Sequence, residues 1–211
     1  MKKKIAVEGG LRTEAESQEG FRTNACYDRN PDTWEKKMEN FPKYVRRSNL
    51  TRFLALYEIF KRVLHIKGSI IECGVYNGFG IMTWAKLSAI LEPVNLTRRI
   101  YGFDSFVGLK EDMQGSYWSK GSMDLKGKIP DLNKNVIPIK GWVQDTLPKF
   151  LNEKKPNINF VHMDMDTYPT SKFVLSNLKP FLNRSCIIIF DEFYNFPGWD
   201  VGEYIALTET F

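Results

Sequence analysis

Acidic residues follow several short apolar runs of the sequence, and they are its most evident candidates for chemistry. Glu72, Asp104, Asp164 and Asp191 each stand at or just beyond the end of such a run. If these runs are parallel strands of one sheet, their carboxyl ends share one edge, where open α/β sheets bind ligands. Acids gathered there repel one another unless hydroxyls, a metal ion or a cationic ligand compensates their charge. The sequence therefore predicts a ligand site at that edge.

The densest group of acids follows the last two predicted strands. Asp164, Asp191 and Glu192 converge if these strands are neighbours. Hard carboxylate oxygens select Mg²⁺, which keeps several waters and leaves positions open for substrate oxygens. Asp166, slightly off the metal, is then placed to take a proton from an attacking hydroxyl. The alternative interpretation is that these acids are N-caps of the helices that follow the strands.

A glycine-rich turn follows the first predicted strand and indicates a nucleoside ligand. Its spacing is Gly74-x-x-x-Gly78-x-Gly80, whereas a pyrophosphate-binding turn requires G-x-G-x-x-G, so a dinucleotide is disfavoured. S-adenosylmethionine has no phosphate and carries a positive sulfonium, which suits the preceding acid, Glu72. Asp104, at the end of the second strand, is placed to accept hydrogen bonds from both ribose hydroxyls. Each glycine taken alone is equally typical of an ordinary turn.

The elements that must position these residues alternate along the chain. Short apolar runs predict strands at residues 69–73, 99–103, 136–139, 158–163 and 186–190. Helical spacing of apolar residues occurs at 48–65, 81–91, 146–151, 168–182 and 201–211. The pattern predicts an α/β fold with a mainly parallel sheet and helices on both faces. Residues 105–134 lack periodicity and are expected to form a long loop or lid, and residues 1–32 a loose arm.

Composition narrows the class of protein. The 211 residues suffice for one sizeable core, and 43% are hydrophobic, which excludes a disordered chain. The net charge of +5 is spread along the sequence without an aromatic and basic stripe, so no nucleic-acid partner is expected. No secretory signal or apolar stretch of membrane length is present. The three cysteines show no paired spacing, and a reduced, cytoplasmic protein without a membrane partner is expected.

Five motifs in order resemble one family, the macrocin O-methyltransferase (TylF-type) group of class I sugar O-methyltransferases. The resemblance covers about residues 44–199. The motifs are Ile71-Glu72-Cys73-Gly74-Val75-Tyr76-Asn77-Gly78, Phe103-Asp104-Ser105-Phe106-Val107-Gly108-Leu109, Asp145-Thr146-Leu147-Pro148, Asp164-Met165-Asp166-Thr167-Tyr168, and Ile189-Phe190-Asp191-Glu192-Phe193 followed by Phe196-Pro197-Gly198-Trp199. The first motif alone is weak evidence, and the five together are specific.

The resemblance implies a Rossmann-like domain at residues 44–211, preceded by an arm or cap at residues 1–43. It implies Mg²⁺-dependent transfer of a methyl group from S-adenosylmethionine to a hydroxyl of a small molecule, with a sugar as the expected acceptor. The family's general base falls on Asp166, and its metal ligands fall on Asp164, Asp191 and Glu192. The expected cofactor contacts are Glu72, Gly74, Val75, Tyr76, Gly78, Asp104, Ser105, Val143, Gln144, Asp145 and Asp164.

Two departures from the family pattern keep alternatives open. The family usually has Asp-Asp where this chain has Asp191-Glu192, and the longer arm of glutamate alters the ligand geometry. The chain is also expected to lack the last two strands of a class I sheet, which would expose the edge of its fifth strand. A dimer contact or an N-terminal segment would cover that edge, and a homo-oligomer is expected. The alternative functions are a binding module for S-adenosylmethionine or an inactive or truncated relative and, less favoured, a dehydrogenase.

Overall fold

The computed structural model describes residues 4–7, 10–13, 18, 27–95, 97–116, 118–194 and 198–211. The chain divides into two compact units, residues 1–58 and 59–211. The domain boundary expected between residues 43 and 44 stays a prediction.

The first unit begins with an antiparallel pair of short strands, β1 (Lys4–Val7) and β2 (Gly10–Thr13), in which Val7 pairs with Gly10. The prediction of a loose arm is therefore wrong for these residues, because four-residue strands are too short to show periodicity in the sequence. Helix α1 (Trp34–Glu39) follows and is capped by the Thr33 side chain, which accepts from the Lys36 backbone N–H. A 3₁₀ turn at Phe41–Lys43 leads into helix α2 (Arg47–Val63), which contains the boundary between the units.

The second unit alternates strands and helices. Its elements are β3 (Ser69–Cys73), α3 (Phe79–Leu91), β4 (Ile100–Asp104), β5 (Val136–Lys140), α4 (Val143–Lys154), β6 (Ile158–Met163), α5 (Tyr168–Leu178), β7 (Leu182–Phe190) and α6 (Glu203–Thr208).

The five strands of this unit form one parallel sheet in the order β5-β4-β3-β6-β7. The order reverses between β3 and β6, so a crevice opens there at the carboxyl ends of the strands. The predicted pairing of the two acid-bearing strands is confirmed, since Met163 of β6 is in register with Phe190 of β7. The α/β, Rossmann-like architecture predicted from the sequence is confirmed.

Helices cover both faces of the sheet, which explains why its central strands are mostly apolar. On one face, Ile71 and Val161 belong to a buried cluster with Leu147 of α4 and Leu175 of α5. On the other face, Trp84 of α3 packs edge-on against Phe160 with ring centroids 4.8 Å apart. A sheet buried on both sides favours such apolar strands.

Several element boundaries differ from the sequence prediction. Strand β7 begins at Leu182 rather than at residue 186, because polar residues at its start hide the strand from a hydrophobic pattern. Helix α4 begins at Val143 rather than at residue 146. Helix α5 ends at Leu178 rather than at residue 182. It tightens there into a 3₁₀ turn, Lys179–Phe181, which contains Pro180. Residues 105–134 contain no helix or strand beyond one bridge between Val107 and Asp124, within the part that the structure describes.

Candidate active site

The turn after β3 meets the loop after β6 at the crevice. Gly74 has a φ of 92°, and a Cβ placed on it would lie 1.7 Å from the backbone oxygen of Asp164. Gly78 has a φ of 90° and precedes the first residue of α3. These glycines are therefore required by the chain's own backbone, in addition to any approach by a ligand. Val75 is buried and Tyr76 is exposed, and the contact of either with a cofactor stays a prediction.

Asp104 ties this turn to the loop that follows β4. Its Oδ2 accepts from the backbone N–H groups of Val75 and Tyr76 at 2.8 and 2.7 Å. Its Oδ1 accepts from the N–H of Phe106 at 2.7 Å. Asp104 thus stands beside the crevice, and the predicted ribose contact would use the lone pairs that remain. Ser105 stabilises the loop after β4, since its Oγ accepts from the N–H of Val107 at 3.2 Å.

Glu72 lies beneath α3, with 1% of its surface exposed. Its Oε2 accepts from Trp84 Nε1 at 2.8 Å and lies 2.8 Å from His162 Nδ1. A Cβ placed on Gly80 would lie 2.6 Å from the same oxygen, so the helix passes close above it. In this structure the carboxylate of Glu72 binds two buried rings, and a direct contact with a cofactor stays a prediction.

The amino end of α4 carries the third set of predicted cofactor residues. Val143 is buried, and the Nε2 of Gln144 donates to Thr170 Oγ1 at 3.3 Å. The Oε1 of Gln144 is buried without a hydrogen-bond partner among the described residues, which marks it as an acceptor available to a ligand. Asp145 lies in the first turn of the helix and is exposed. Trp142 holds the cap position of this helix, so Asp145 does not cap it, and its contact with a cofactor stays a prediction.

The acids after β6 and β7 converge. Oxygens of Asp164, Asp166 and Glu192 lie within 4.8 Å of one another, as do ligand atoms of His162, Asp164 and Asp191. Asp164 belongs to both groups, whereas Asp191 and Glu192 belong to different ones. The predicted metal trio of Asp164, Asp191 and Glu192 therefore stays a prediction within a wider carboxylate cluster.

Burial and mutual repulsion raise the proton affinity of this cluster. Desolvation is the largest cause of a raised pKa at Asp166, which reaches about 6, although a hydrogen bond with Glu192 opposes it. Desolvation, followed by the charge of Asp166, holds the pKa of Glu192 well above its ordinary value. The Oε2 of Glu192 is enclosed without a hydrogen-bond partner among the described residues. Such a set of hard oxygens suits a divalent cation, which would stabilise the ionised forms.

A protein-family model described as a methyltransferase domain matches residues 71–193 of the chain. The match covers the glycine turn, Asp104 and both acid-bearing loops. The chain belongs to this methyltransferase family. A sequence comparison with curated proteins finds no match.

Solved structures support the same assignment for the methyltransferase. A crystal structure of CalS11, described as a calicheamicin methyltransferase, superposes with a TM-score of 0.82 at 26% identity, over 97% of this chain and 90% of that one. An apo structure of CalS11, described as a TDP-rhamnose 3'-O-methyltransferase, gives 0.75 at 28% identity, over 94% and 86%. The O-methyltransferase NovP gives 0.55 at 20% identity, over 75% and 69%, which shows a shared fold. The predicted class, an S-adenosylmethionine-dependent O-methyltransferase, is confirmed.

The sequence prediction missed one buried acid of the methyltransferase site. Glu203, at the start of α6, is fully buried and accepts from the backbone N–H of Glu192 at 3.3 Å. Burial raises its pKa to about 8. In the sequence it looks like an ordinary acid in the first turn of a helix, which complements the helix dipole. Only its burial distinguishes it.

A second missed residue, Glu111, joins the long loop to α5. Its Oε2 accepts from the hydroxyls of Thr167 and Thr170 at 3.0 and 3.1 Å. Both threonines are buried and follow Asp166 directly or closely. The long loop is therefore fastened beside the acid cluster, although no motif in residues 105–134 indicated this.

In the described part of the chain, no helix is long and apolar enough to cross a membrane.

Proposed function

We propose that this methyltransferase moves a methyl group from S-adenosylmethionine to a hydroxyl of a sugar, with Mg²⁺ held by the carboxylate cluster. The observation that carries the proposal is the convergence of Asp164, Asp166 and Glu192 next to the glycine turn of β3. CalS11, which is described as a TDP-rhamnose 3'-O-methyltransferase, supports a sugar acceptor. The narrower macrocin group and a homo-oligomeric state remain part of the proposal.

The cofactor would lie over the crevice between β3 and β6, where an open parallel sheet binds ligands. The turn from Gly74 to Gly78 would border it, and Asp104 would accept from the ribose hydroxyls. The buried Oε1 of Gln144 supports this location, since an enclosed acceptor without a partner is costly unless a ligand supplies a donor. Glu72 would act at a distance, by holding Trp84 and His162 under the turn.

Asp164, Asp191 and Glu192 would hold the metal ion, and oxygen donors of this kind fit Mg²⁺. When bound, the ion acts as a Lewis acid that lowers the pKa of a neighbouring hydroxyl. The enclosed Oε2 of Glu192 supports its role as a ligand, although a glutamate stands where the family usually has aspartate. Burial, followed by the negative charges of the neighbouring acids, raises the pKa of this carboxyl.

Asp166 would accept the proton of the attacking hydroxyl. Its backbone has a φ of 61°, an uncommon conformation that directs the residue away from the path of the preceding strand. It is 7% exposed, and its pKa of about 6 leaves it ionised at neutral pH while keeping it a stronger base than an exposed aspartate. The residues of the chain thus supply orientation and a base, while water is excluded by burial.

The experiment measures S-adenosylhomocysteine formation with a panel of free and nucleotide-linked sugars as acceptors. We expect turnover with at least one sugar hydroxyl, its loss in EDTA and its recovery with MgCl₂. Turnover that persists in EDTA would remove the metal from the proposal. Binding of S-adenosylmethionine by calorimetry, without transfer to any hydroxylated acceptor, would instead support a binding module.

A further inference from the structure

The hydrogen bonds of the parallel sheet end at the two acids that follow β6 and β7. The N–H of Asp164 donates to the carbonyl of Cys73 at 2.9 Å, and the N–H of Asp191 donates to that of Met163 at 3.0 Å. Beyond these residues the chain leaves the sheet on both strands. The two loops that carry the carboxylate cluster therefore need another acceptor to hold their backbones.

Glu203 lies against the backbones of both loops. Its Oε2 accepts from the N–H of Glu192 at 3.3 Å. The backbone N–H of Met165, which lies between Asp164 and Asp166, stabilises the ionised carboxylate and offsets part of the rise in its pKa. One carboxylate thus faces a backbone donor of each loop.

The surroundings of Glu203 fix its position. Its side chain is fully buried, and its Oε1 accepts from Ser171 Oγ of α5 at 3.4 Å. Helix α6 is held on α5 at its far end, where the Tyr168 hydroxyl donates to Glu209 at 2.6 Å. Ala206 packs into the core beneath. The carboxylate is therefore anchored at both ends of a short, packed helix.

We infer that Glu203 is a positioning residue that clamps the loops after β6 and β7 together, so that the oxygens of Asp164, Asp166 and Glu192 meet. Placing another acid beside this cluster costs electrostatic energy, which backbone donors alone offset only in part. The arrangement serves a site in which outer hydrogen bonds orient the groups that bind a ligand. The inference rests on the proposed function for the identity of that ligand, Mg²⁺.

The primary test follows amide hydrogen exchange by NMR in EDTA, so that the outcome does not depend on a metal. Glu203→Ala removes the shared acceptor, and we expect the amides of Met165 and Glu192 to exchange at least about tenfold faster together. Ser171→Ala removes the hydroxyl that donates to Glu203 but leaves the Glu203 carboxylate in place for both loops. In this variant the amides of Met165 and Glu192 should therefore exchange at the wild-type rates. Wild-type exchange at both amides in Glu203→Ala would overturn the inference.

A second variant covers the case in which Glu203→Ala does not fold. Glu203→Met keeps a similar volume and removes both acceptor oxygens, so at least one of the two loop amides should exchange about tenfold faster. Unchanged exchange at both amides in this variant would also overturn the inference. Glu153→Gln changes an exposed acid of α4 and should leave both amides unaffected.

Calorimetric titration with MgCl₂ then links the clamp to the metal. We expect Glu203→Met to raise the Kd for Mg²⁺ about 10- to 100-fold, and Glu153→Gln to leave it unchanged. Equal Mg²⁺ affinity in Glu203→Met and wild type would overturn the link between the clamp and the metal site. A wild-type protein that binds no Mg²⁺ would instead refute the metal of the proposed function, and the amide exchange would still decide the role of Glu203.

Discussion

Gly74 and Asp164 touch through their main chains, because a Cβ on Gly74 would stand 1.7 Å from the carbonyl oxygen of Asp164. The N–H of Asp164 donates to the carbonyl of Cys73, the neighbour of that glycine. The turn proposed to border the cofactor and the loop proposed to bind the metal are therefore in direct contact. The absence of a side chain at Gly74 is what allows these two segments to lie so close.

We expect Gly74→Ala to destabilise the fold by on the order of 3 kcal/mol or more. The new methyl group would overlap a backbone oxygen, which cannot move without displacing β6, and the φ of 92° adds strain for alanine. The free energy of unfolding from urea denaturation measures this loss. Any folded fraction should also bind S-adenosylmethionine more weakly, since the two loops must separate.

Gly121→Ala is the matched control for this change. Gly121 has a similar φ of 84°, but a Cβ placed on it meets no atom within 4 Å. Its substitution should therefore cost only the backbone strain, on the order of 1 kcal/mol. If both variants lose the same free energy of unfolding, the overlap with the Asp164 backbone does not contribute to the loss. The close contact between the two loops would then not limit which residue can stand at position 74.

We expect Asp166→Asn to reduce turnover about 10²- to 10⁴-fold, because an amide cannot accept the proton of the attacking hydroxyl. Binding of S-adenosylmethionine, measured by calorimetry, should remain within about threefold of wild type, since the side chain is not proposed to contact the cofactor. Asp131→Asn makes the same chemical change at an exposed loop position and should keep full turnover. Wild-type turnover in Asp166→Asn would exclude this residue as the base.

Much of the sheet edge could be predicted from the sequence, because each acid directly follows an apolar strand. Parallel pairing then brings Asp104 and Asp164 to one edge whatever the side-chain details. The same logic brought Asp164, Asp191 and Glu192 together, although it did not show that Asp166 would group with Asp164 and Glu192, or that Asp191 would group with His162. Which acids share a ligand depends on loop backbone conformation, such as the φ of 61° at Asp166, and no pattern of residue types encodes that.

The role of Glu203 and the partners of Glu72 could not be read from the sequence. Glu203 is eleven residues beyond Glu192, and its hydrogen bonds depend on how α6 packs rather than on spacing. The contact of Glu72 with a cationic ligand stays a prediction, and the sequence did not indicate that Glu72 binds Trp84 and His162, which are far apart in the sequence. Side chains on the inner face of a strand end look identical to ligand-facing ones until the covering helix is known.

The buried contact between Trp84 and Glu72 should contribute to stability. Trp84→Phe removes the indole N–H that donates to the carboxylate and leaves that buried acceptor without one of its donors. We expect a loss of about 1–3 kcal/mol in the free energy of unfolding, measured with urea. Trp34→Phe is the control. The Trp34 side chain is 69% exposed, so removing its indole N–H leaves no buried acceptor without a donor. Equal, small losses in both variants would show that the buried hydrogen bond contributes little.

The metal-free protein should become less stable as pH rises from about 5 to 8. Burial raises the pKa of Glu203 from 4.5 to about 8, so the folded chain keeps a proton that the unfolded chain releases above about pH 4.5. Since the unfolded state then binds fewer protons, the stabilisation present below pH 4.5 is lost as pH rises through about 8. Asp166 acts in the same direction over a lower range, up to its pKa of about 6.

Thermal unfolding in EDTA measures this slope, and we expect Tm to fall by roughly 5 °C or more between pH 5 and pH 8. Glu203→Gln removes one of the buried acids with a raised pKa and should reduce the slope, whereas Glu153→Gln, at an exposed acid of α4, should keep it. MgCl₂ at pH 8 should restore most of the lost Tm, because a cation bound to the carboxylates replaces the proton as their compensating charge. A Tm that rises over this range in EDTA would mean that the buried acids are paired with positive charge in the folded state, and would contradict the raised pKa values.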